Sequence, residues 1–262
     1  MTLHPIGVVR CGVRERKQMP SLGVPARIEV FLDYAAGLLR LEKHSHLWVL
    51  AWLEGAERDV LQVTPKGVSD RGPEGLHGVF AVRSPMRPNP IGLTAARVVR
   101  IEGAWVEVDR LDFLDGTPIL DLKPYFASRD LIFSAANAQI GRPASREALR
   151  ESLLLQALHF HGEFCAGLAL GVRLFEHFRA EVLNMEEPRR LEVTAPLVRA
   201  CLVDALMGMA RVTPGRGTLR FGDGDRVRFK HDGSICTYEF TAGESAEAIF
   251  ETADELLFRR VQ

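Results

Sequence analysis

The sequence predicts an α+β protein, in which a small N-terminal β-barrel is followed by a second unit that mixes helices and strands. Short apolar or alternating runs bounded by Gly, Pro or Asp fill the first half, which is the pattern of a sheet that curls into a barrel. Helical periodicity begins only near residue 145. The length of 262 residues is enough for two domains that each bury a core.

Strands are expected wherever such a run ends at turn residues. In the first half the runs are Ile6–Arg10, Arg27–Phe31, His46–Leu53, Gly78–Arg83, Leu93–Ile101 and Trp105–Val108. Strand content ends near Pro124. Asp33 can cap one short helix that extends to Leu41, and the polar loop Gln62–His77 is long enough to have a function.

The periodicity lapses between Phe133 and Pro143, and Ser145 then provides the N-cap of a new helix. We expect helices at about 145–158, 164–183 and 197–210, short strands from Thr218 to Phe240, and a final helix from about Glu244 to Phe258. The predicted domains are therefore residues 1–137 and 145–262.

The composition limits the classes of function. With 47% hydrophobic and 26% charged residues the chain is not predominantly disordered, and a formal net charge of -1 excludes a basic field over the whole molecule. The first 150 residues carry 20 Lys and Arg against 17 Asp and Glu, so RNA would bind a local arginine surface on this half. The four cysteines are too scattered for a disulfide framework, and no membrane span or signal peptide is visible. The sequence therefore predicts a cytoplasmic protein without a membrane partner.

Residues 80–93, Phe-Ala-Val-Arg-Ser-Pro-Met-Arg-Pro-Asn-Pro-Ile-Gly-Leu, are the most unusual segment. Three prolines fix φ and restrict the residues before them, which predicts a stiff loop after a strand. Such a loop presents Arg83, Ser84, Arg87 and Asn89 at low entropic cost. The alternative is a rigid corner of the barrel whose arginines are merely solvated.

Residues 111–125, Leu-Asp-Phe-Leu-Asp-Gly-Thr-Pro-Ile-Leu-Asp-Leu-Lys-Pro-Tyr, form a second notable segment. Asp115-Gly116 is a strong turn signal between two apolar runs and predicts a hairpin whose main-chain groups face a neighbouring ligand. Asp112, Asp121 and Lys123 add more ionisable groups than a plain hairpin needs.

Both segments, with residues 44–48 (His-Ser-His-Leu-Trp), closely resemble the TsaA-like family over about His4 to Asp130. This family comprises TrmO-type methyltransferases, which use S-adenosylmethionine (SAM) to methylate N6 of a threonylcarbamoyl-modified adenine in tRNA. The resemblance implies a small β-barrel, usually a homodimer. It also implies a SAM site made by Arg83, Ser84, Arg87, Asn89, Leu93, Asp115, Gly116, Thr117 and Pro118. Arg83 would meet the methionine carboxylate, and Asp115 or Asp121 would act catalytically by accepting the released proton.

His161 and Cys165 are four residues apart and would face the same way on a helix that started early. Imidazole and thiolate suit zinc or another late transition metal, Glu163 could add an oxygen, and Cys201 is the best candidate for a third ligand. Two alternatives remain open: both cysteines are core residues while His161 bonds to backbone, or Cys165 is a nucleophile activated by His161.

Residues 161–171, 200–205 and 215–219 are similar to the E-type domain of formylmethanofuran dehydrogenase, over about Leu155 to Phe240. This resemblance implies that His161, Cys165 and Cys201 bind a metal, with zinc as the default.

Three hypotheses of function follow. The first is a SAM-dependent tRNA methyltransferase whose second domain binds a metal. The second is a metal-binding or metal-sensing module whose barrel binds SAM or mediates dimerisation without methylating RNA. The third is a non-catalytic RNA binder.

Overall fold

The computed structural model describes residues 2–69, 72–241 and 245–262. The chain divides into two compact units, Met1–Ala136 and Asn137–Gln262, each with its own hydrophobic core. Within the described ranges, no helix has both the length and the apolar character needed to cross a membrane.

The first unit is a closed antiparallel β-barrel of six strands, which confirms the predicted fold class. Its strands, with a separate two-stranded ribbon made by β4 and β5, are β1 (Gly7–Arg10), β2 (Val24–Val30), β3 (His46–Trp52), β4 (Gln62–Val63), β5 (His77–Gly78), β6 (Ile91–Glu102), β7 (Trp105–Leu111) and β8 (Pro118–Pro124). The order around the barrel is β1-β2-β7-β6-β3-β8, and antiparallel pairing of β8 with β1 closes it. A short helix, α1 (Ala127–Asp130), follows the last strand.

Alternation of apolar side chains places the core inside the barrel. Leu47, Val49 and Ala51 of β3 are fully buried and alternate with partly exposed neighbours, as the sequence pattern predicts for a half-buried strand. Ile28 and Val106, on the paired strands β2 and β7, complete this core with other buried aliphatic residues.

Two local predictions in this unit are wrong. Of the expected strand Gly78–Arg83 only Gly78 is in a strand, because the following residues turn into the proline loop. The expected helix from Asp33 to Leu41 consists of two short 3-10 segments, Leu32–Leu38 and Leu41–Lys43, and Asp33 makes no capping hydrogen bond. The predicted polar loop Gln62–His77 includes residues 70–71, which lie outside the described ranges.

The second unit packs helices on a mixed sheet. Its helices are α2 (Arg146–His161), α3 (Ala166–His177), α4 (Ala200–Ala210), α5 (Ala246–Glu251) and α6 (Asp254–Leu257). Its strands are β9 (Leu191–Ala195), β10 (Leu219–Phe221), β11 (Arg226–His231), β12 (Ser234–Phe240) and β13 (Phe258–Arg260). The strand order is β10-β9-β11-β12-β13, with a parallel pair only between β10 and β9.

The helix starts were more predictable than the chain ends. The hydroxyl of Ser145 accepts the Ala148 N–H at 3.2 Å, so the predicted N-cap is confirmed. Strands β9 and β13 were not predicted. The predicted final helix is interrupted at residues 252–253 and ends one residue earlier than expected, and its predicted first residue, Glu244, lies outside the described ranges.

Candidate functional site

One end of the barrel brings together the two segments that the sequence singles out. In the turn after β7, Gly116 donates its N–H to Val9 O at 2.9 Å, beside the end of β1. Near the start of β6, the Thr94 hydroxyl donates to Asp112 Oδ1 at 2.5 Å. The proline loop enters β6 at Ile91 and therefore belongs to the same end. We call this end the barrel mouth and define it as residues 79–93 and 111–118.

Arg87 braces the proline loop from within. Its Nε donates to Ser84 O at 2.7 Å, and its Nη2 donates to Val79 O at 3.0 Å and Val82 O at 2.6 Å. The Ser84 hydroxyl accepts the Met86 N–H at 3.2 Å, which adds a further local turn. Arg87 is therefore committed to three carbonyls of its own loop and stabilises the conformation that presents its neighbours.

Other predicted residues of the loop face solvent. Arg83 and Asn89 are exposed, and Leu93 on β6 keeps 42% of its surface exposed. The Arg83 guanidinium makes no hydrogen bond or ion pair with another described residue. It is consequently available to an anionic ligand.

The Asp115-Gly116 turn is not a hairpin, because β7 and β8 lie apart in the barrel and each pairs with other strands. The turn instead docks on the chain after β1. Asp115 Oδ1 accepts the Cys11 N–H at 3.1 Å, its Oδ2 lies 3.3 Å from Arg14 Nε, and its own N–H donates to Val13 O at 2.8 Å. Gly116 has φ of +85°, which favours glycine.

The remaining turn residues and the second predicted catalytic carboxylate have separate positions. Thr117 closes the turn by donating its N–H to Leu114 O at 3.1 Å, and Pro118 begins β8. Asp121 lies further along β8 and pairs with Lys123 Nζ at 2.6 Å.

Gly92 is a residue of the mouth whose role was not predicted. A Cβ built on it would lie 2.6 Å from Cε1 of Phe113, so the aromatic ring packs directly on the strand backbone. A glycine inside an otherwise apolar strand is the signal that could have indicated this close approach.

In the second unit, His161, Cys165 and Cys201 come together at the ends of three helices. Their ligand atoms all lie within 4.8 Å of one another, and Cys165 Sγ is 3.5 Å from His161 Nε2. The predicted single helix through His161 and Cys165 is wrong: His161 ends α2, Gly162 turns the chain at φ of +93°, and Cys165 is the N-cap of α3. Glu163 is exposed and is not part of this cluster.

The electrostatic environment differs between the two thiols. Burial opposes ionisation of Cys165, but the Leu168 N–H at 3.4 Å, Cys201 and His161 together lower its pKa. Burial and the neighbouring Cys165 raise the pKa of Cys201. Burial would lower the pKa of His161, but the hydrogen bonds to Asp204 and Cys165 outweigh it and raise the pKa.

Glycines on α3 allow the two cysteine-bearing helices to approach closely. A Cβ on Gly167 would lie 2.8 Å from the Cys201 Cβ, and one on Gly171 would lie 2.9 Å from the Ala205 Cβ. Because the glycines are four residues apart, they share one face of α3. The Gly-Leu-Ala-Leu-Gly segment is therefore what brings Cys165 near Cys201.

A buried ion network, which was not predicted from the sequence, lies in the same unit. Glu176 is fully buried and accepts hydrogen bonds from Arg146 and Arg150, and Arg173 Nε lies 3.4 Å from its Oε2. Arg173 also donates to Asp254 Oδ1 at 2.6 Å. The network connects α2 and α3 to the first residue of α6.

A shallow depression lies at the other end of the barrel, beside the β6–β7 hairpin. It is lined by Arg27, Arg100, Glu102, Trp105 and Glu107. The charged groups pair with one another, since Arg100 contacts both Glu102 at 2.8 Å and Glu107 at 3.3 Å. This surface contains none of the predicted site residues.

Two family models match the chain. Residues 9–131 match the model described as tRNA-methyltransferase O N-terminal domain. Residues 160–252 match the model described as FmdE, Molybdenum formylmethanofuran dehydrogenase operon. The barrel mouth lies in the first match, and the His161, Cys165 and Cys201 cluster lies in the second.

The chain is also similar to curated proteins. A "Probable S-adenosyl-L-methionine-binding protein" of Archaeoglobus fulgidus is 36% identical over 84% of this chain, which spans 61% of that relative's length. An "S-adenosyl-L-methionine-binding protein" of the same organism is 38% identical over 50% of this chain and 94% of its own length. A mouse "tRNA (adenine(37)-N6)-methyltransferase" is 39% identical over 40% of this chain and 24% of its own length. A solved structure described as "Crystal structure of TrmO" is 20% identical with a TM-score of 0.45, covering 93% of this chain and 94% of that one, a similarity too low to carry an argument.

Proposed function

Because the chain belongs to the tRNA-methyltransferase O N-terminal domain family, we propose that its barrel binds SAM and methylates N6 of an adenine in tRNA. The printed names of the archaeal and mouse relatives support the cofactor and the substrate class, respectively. An acceptor adenine that already carries a threonylcarbamoyl group is the finer form of the same proposal. The observation that carries it is the barrel mouth, where a braced, arginine-presenting loop and a docked Asp-Gly turn lie at one end of the barrel.

The groups at the mouth fit the chemistry of SAM. The unpaired, exposed Arg83 guanidinium suits the methionine carboxylate, and a guanidinium and a carboxylate form strong charge-assisted hydrogen bonds. Exposed apolar surface at Leu93 and main-chain groups of the turn suit the adenine ring. Ser84, Arg87, Asn89, Gly116, Thr117 and Pro118 complete the proposed site, with Arg87 acting through the loop that it braces.

Methyl transfer depends mainly on positioning. SAM supplies an electrophilic methyl carbon, and the acceptor nitrogen must approach it in line while the carbon–sulfur bond breaks. A stiff mouth restricts the accessible geometries and therefore favours this approach. The acceptor nitrogen then loses a proton, for which Asp121 and Asp115 are the proposed acceptors. Asp115 is already held by Cys11 and Arg14, so its carboxylate also serves the turn.

The proposal includes an RNA partner, a homodimer and a cytoplasmic location. Only five of the 33 cations are lysine, and guanidinium groups bind phosphate in a planar, bidentate manner. A local arginine surface on the barrel would bind the tRNA backbone.

Removal of the Arg83 guanidinium tests the cofactor site. We expect Arg83→Ala to weaken SAM binding by about 10- to 100-fold, since a hydrogen bond to a charged group contributes about 1.5–3 kcal/mol. Isothermal titration measures the affinity, and mass analysis of tRNA nucleosides after incubation with labelled SAM measures methylation. Arg100→Ala is the matched control, because Arg100 is an exposed arginine at the other end of the barrel. Wild-type protein that gives no heat with SAM, or labels no tRNA adenine, would contradict the proposal.

We further propose that the second unit binds zinc through His161, Cys165 and Cys201. One imidazole and two thiols are a donor set that zinc prefers, and tetrahedral zinc spaces such ligand atoms about 3.5–3.8 Å apart. The 3.5 Å between Cys165 Sγ and His161 Nε2 fits this spacing. Three protein ligands from the described residues match the number found in catalytic zinc sites. If methylation fails while zinc and SAM still bind, the alternative of a metal-binding or metal-sensing module is favoured.

Metal analysis of protein purified without a histidine tag tests the zinc site. We expect a stoichiometric amount of zinc in the wild type and little in Cys165→Ser, because a serine hydroxyl is a poor substitute for a thiolate. Cys11→Ser is the control, since it makes the same exchange in the barrel. Equal zinc contents in all three proteins would exclude this site.

A further inference from the structure

We propose that Asp204 is a positioning residue for the metal ligand His161, and that its carboxylate holds the imidazole so that Nε2 faces the two cysteines. This inference rests on the zinc site proposed above. It identifies a residue outside the three predicted ligands on which the site depends.

The carboxylate selects one form of the imidazole ring. Asp204 Oδ2 lies 3.0 Å from His161 Nδ1, a hydrogen-bond distance. A neutral imidazole carries one N–H, so when Nδ1 donates to the carboxylate the lone pair is on Nε2. That nitrogen lies 3.5 Å from Cys165 Sγ, on the side where the thiols converge. The hydrogen bond therefore fixes both the tautomer and the direction of the ring that binding requires.

One helix delivers both a ligand and the positioning group. Asp204 lies three residues after Cys201 on α4, so the two side chains share a helix face. Gly167 and Gly171 let this helix approach α3, and α2 ends with His161. The approach of α4 therefore brings a thiol and a carboxylate to the cluster together.

Asp204 has no evident role in the stability of the core. Its side chain is 43% exposed, and among the described residues His161 is its hydrogen-bond partner. The His161 side chain, in contrast, is only 11% exposed. Loss of the carboxylate should thus affect the ring of His161 rather than the packing of the helices.

The test compares zinc affinity in the full-length protein, measured by competition with a chromogenic chelator. We expect Asp204→Ala to lower the affinity by about 10- to 100-fold, as the loss of a carboxylate behind a histidine ligand typically does. Asp204→Asn keeps an oxygen that accepts the Nδ1–H and should recover most of the loss. Asp232→Asn is the matched control, because Asp232 lies 3.4 Å from His231 Nε2, far along the chain from the cluster.

Cobalt substitution separates positioning from direct ligation. The thiolate-to-cobalt absorption bands should keep their energies and intensities in Asp204→Ala, because the three ligands are unchanged. Altered bands would make Asp204 a ligand and overturn the proposal, as would an unchanged zinc affinity. Equal losses in Asp204→Ala and Asp204→Asn with a lower thermal midpoint would indicate a structural role and also overturn it. Wild-type protein that binds no zinc would refute the zinc proposal itself, whereas zinc binding that is insensitive to Asp204 refutes only this inference.

Discussion

Glu176→Gln is expected to destabilise the second unit by about 3–5 kcal/mol, the cost of breaking a buried ion pair by removing one partner. Glu176 is fully buried and faces Arg146, Arg150 and Arg173. A neutral amide would leave these guanidinium groups with Asp254 as their remaining acidic partner in the network. Burial opposes ionisation of Asp254, but hydrogen bonds from His177, Arg146 and Arg173 keep its pKa well below the usual range.

The two units allow this prediction to be measured with an internal reference. Trp48, Trp52 and Trp105 all lie in the barrel, so tryptophan fluorescence follows the first unit during urea denaturation. Far-UV circular dichroism is dominated by the helices of the second unit. We expect only the second transition to move to lower urea.

A surface ion pair provides the control for Glu176. Glu186 pairs with Arg142, and both side chains are more than half exposed. Glu186→Gln should therefore change stability by no more than about 1 kcal/mol. If Glu176→Gln has an equally small effect, the buried network does not stabilise the second unit.

The second large effect is expected for Gly171→Val, which should both destabilise the second unit by about 1–3 kcal/mol and weaken zinc binding. Even a single Cβ at this position would lie 2.9 Å from the Ala205 Cβ and 3.2 Å from Leu202 O. The larger side chain must move α3 away from α4. Since Cys165 and Cys201 lie on these two helices, the ligand atoms would separate.

Gly215→Val is the matched control, because a Cβ on Gly215 meets nothing within 4 Å. It should change stability by about 0.5 kcal/mol or less and leave zinc affinity unchanged. A double-mutant cycle with Gly171→Ala and Ala205→Gly tests the contact directly. A coupling energy near zero would contradict the close helix packing.

Much of the fold could be predicted from the sequence because the signals are local. Alternating burial in β3 follows from alternating side chains, and the Ser145 cap follows from a hydroxyl placed before a helical pattern. The stiffness of residues 80–93 follows from three prolines. His161, Cys165 and Cys201 could be named as candidate ligands because few residue types bind zinc.

Other features could not be predicted because their energies depend on residues that are far apart in the chain. Asp115-Gly116 satisfies every local rule for a hairpin, yet closure of the barrel pairs β7 with β2 and β6, and β8 with β1 and β3. Arg87 has the features of a ligand-binding cation but binds three carbonyls of its own loop.

The sequence by itself determined the α+β class, the strand and helix periodicities, and the residue types available for each site, since these depend on neighbours within a few positions. The tertiary structure alone decided the strand order, the pairing of Asp204 with His161 across 43 residues, and the contact of Arg146 with Asp254 across 108 residues. The physical reason is that a buried charge or a close helix contact becomes favourable only after distant segments have packed. The local sequence contains no record of that packing.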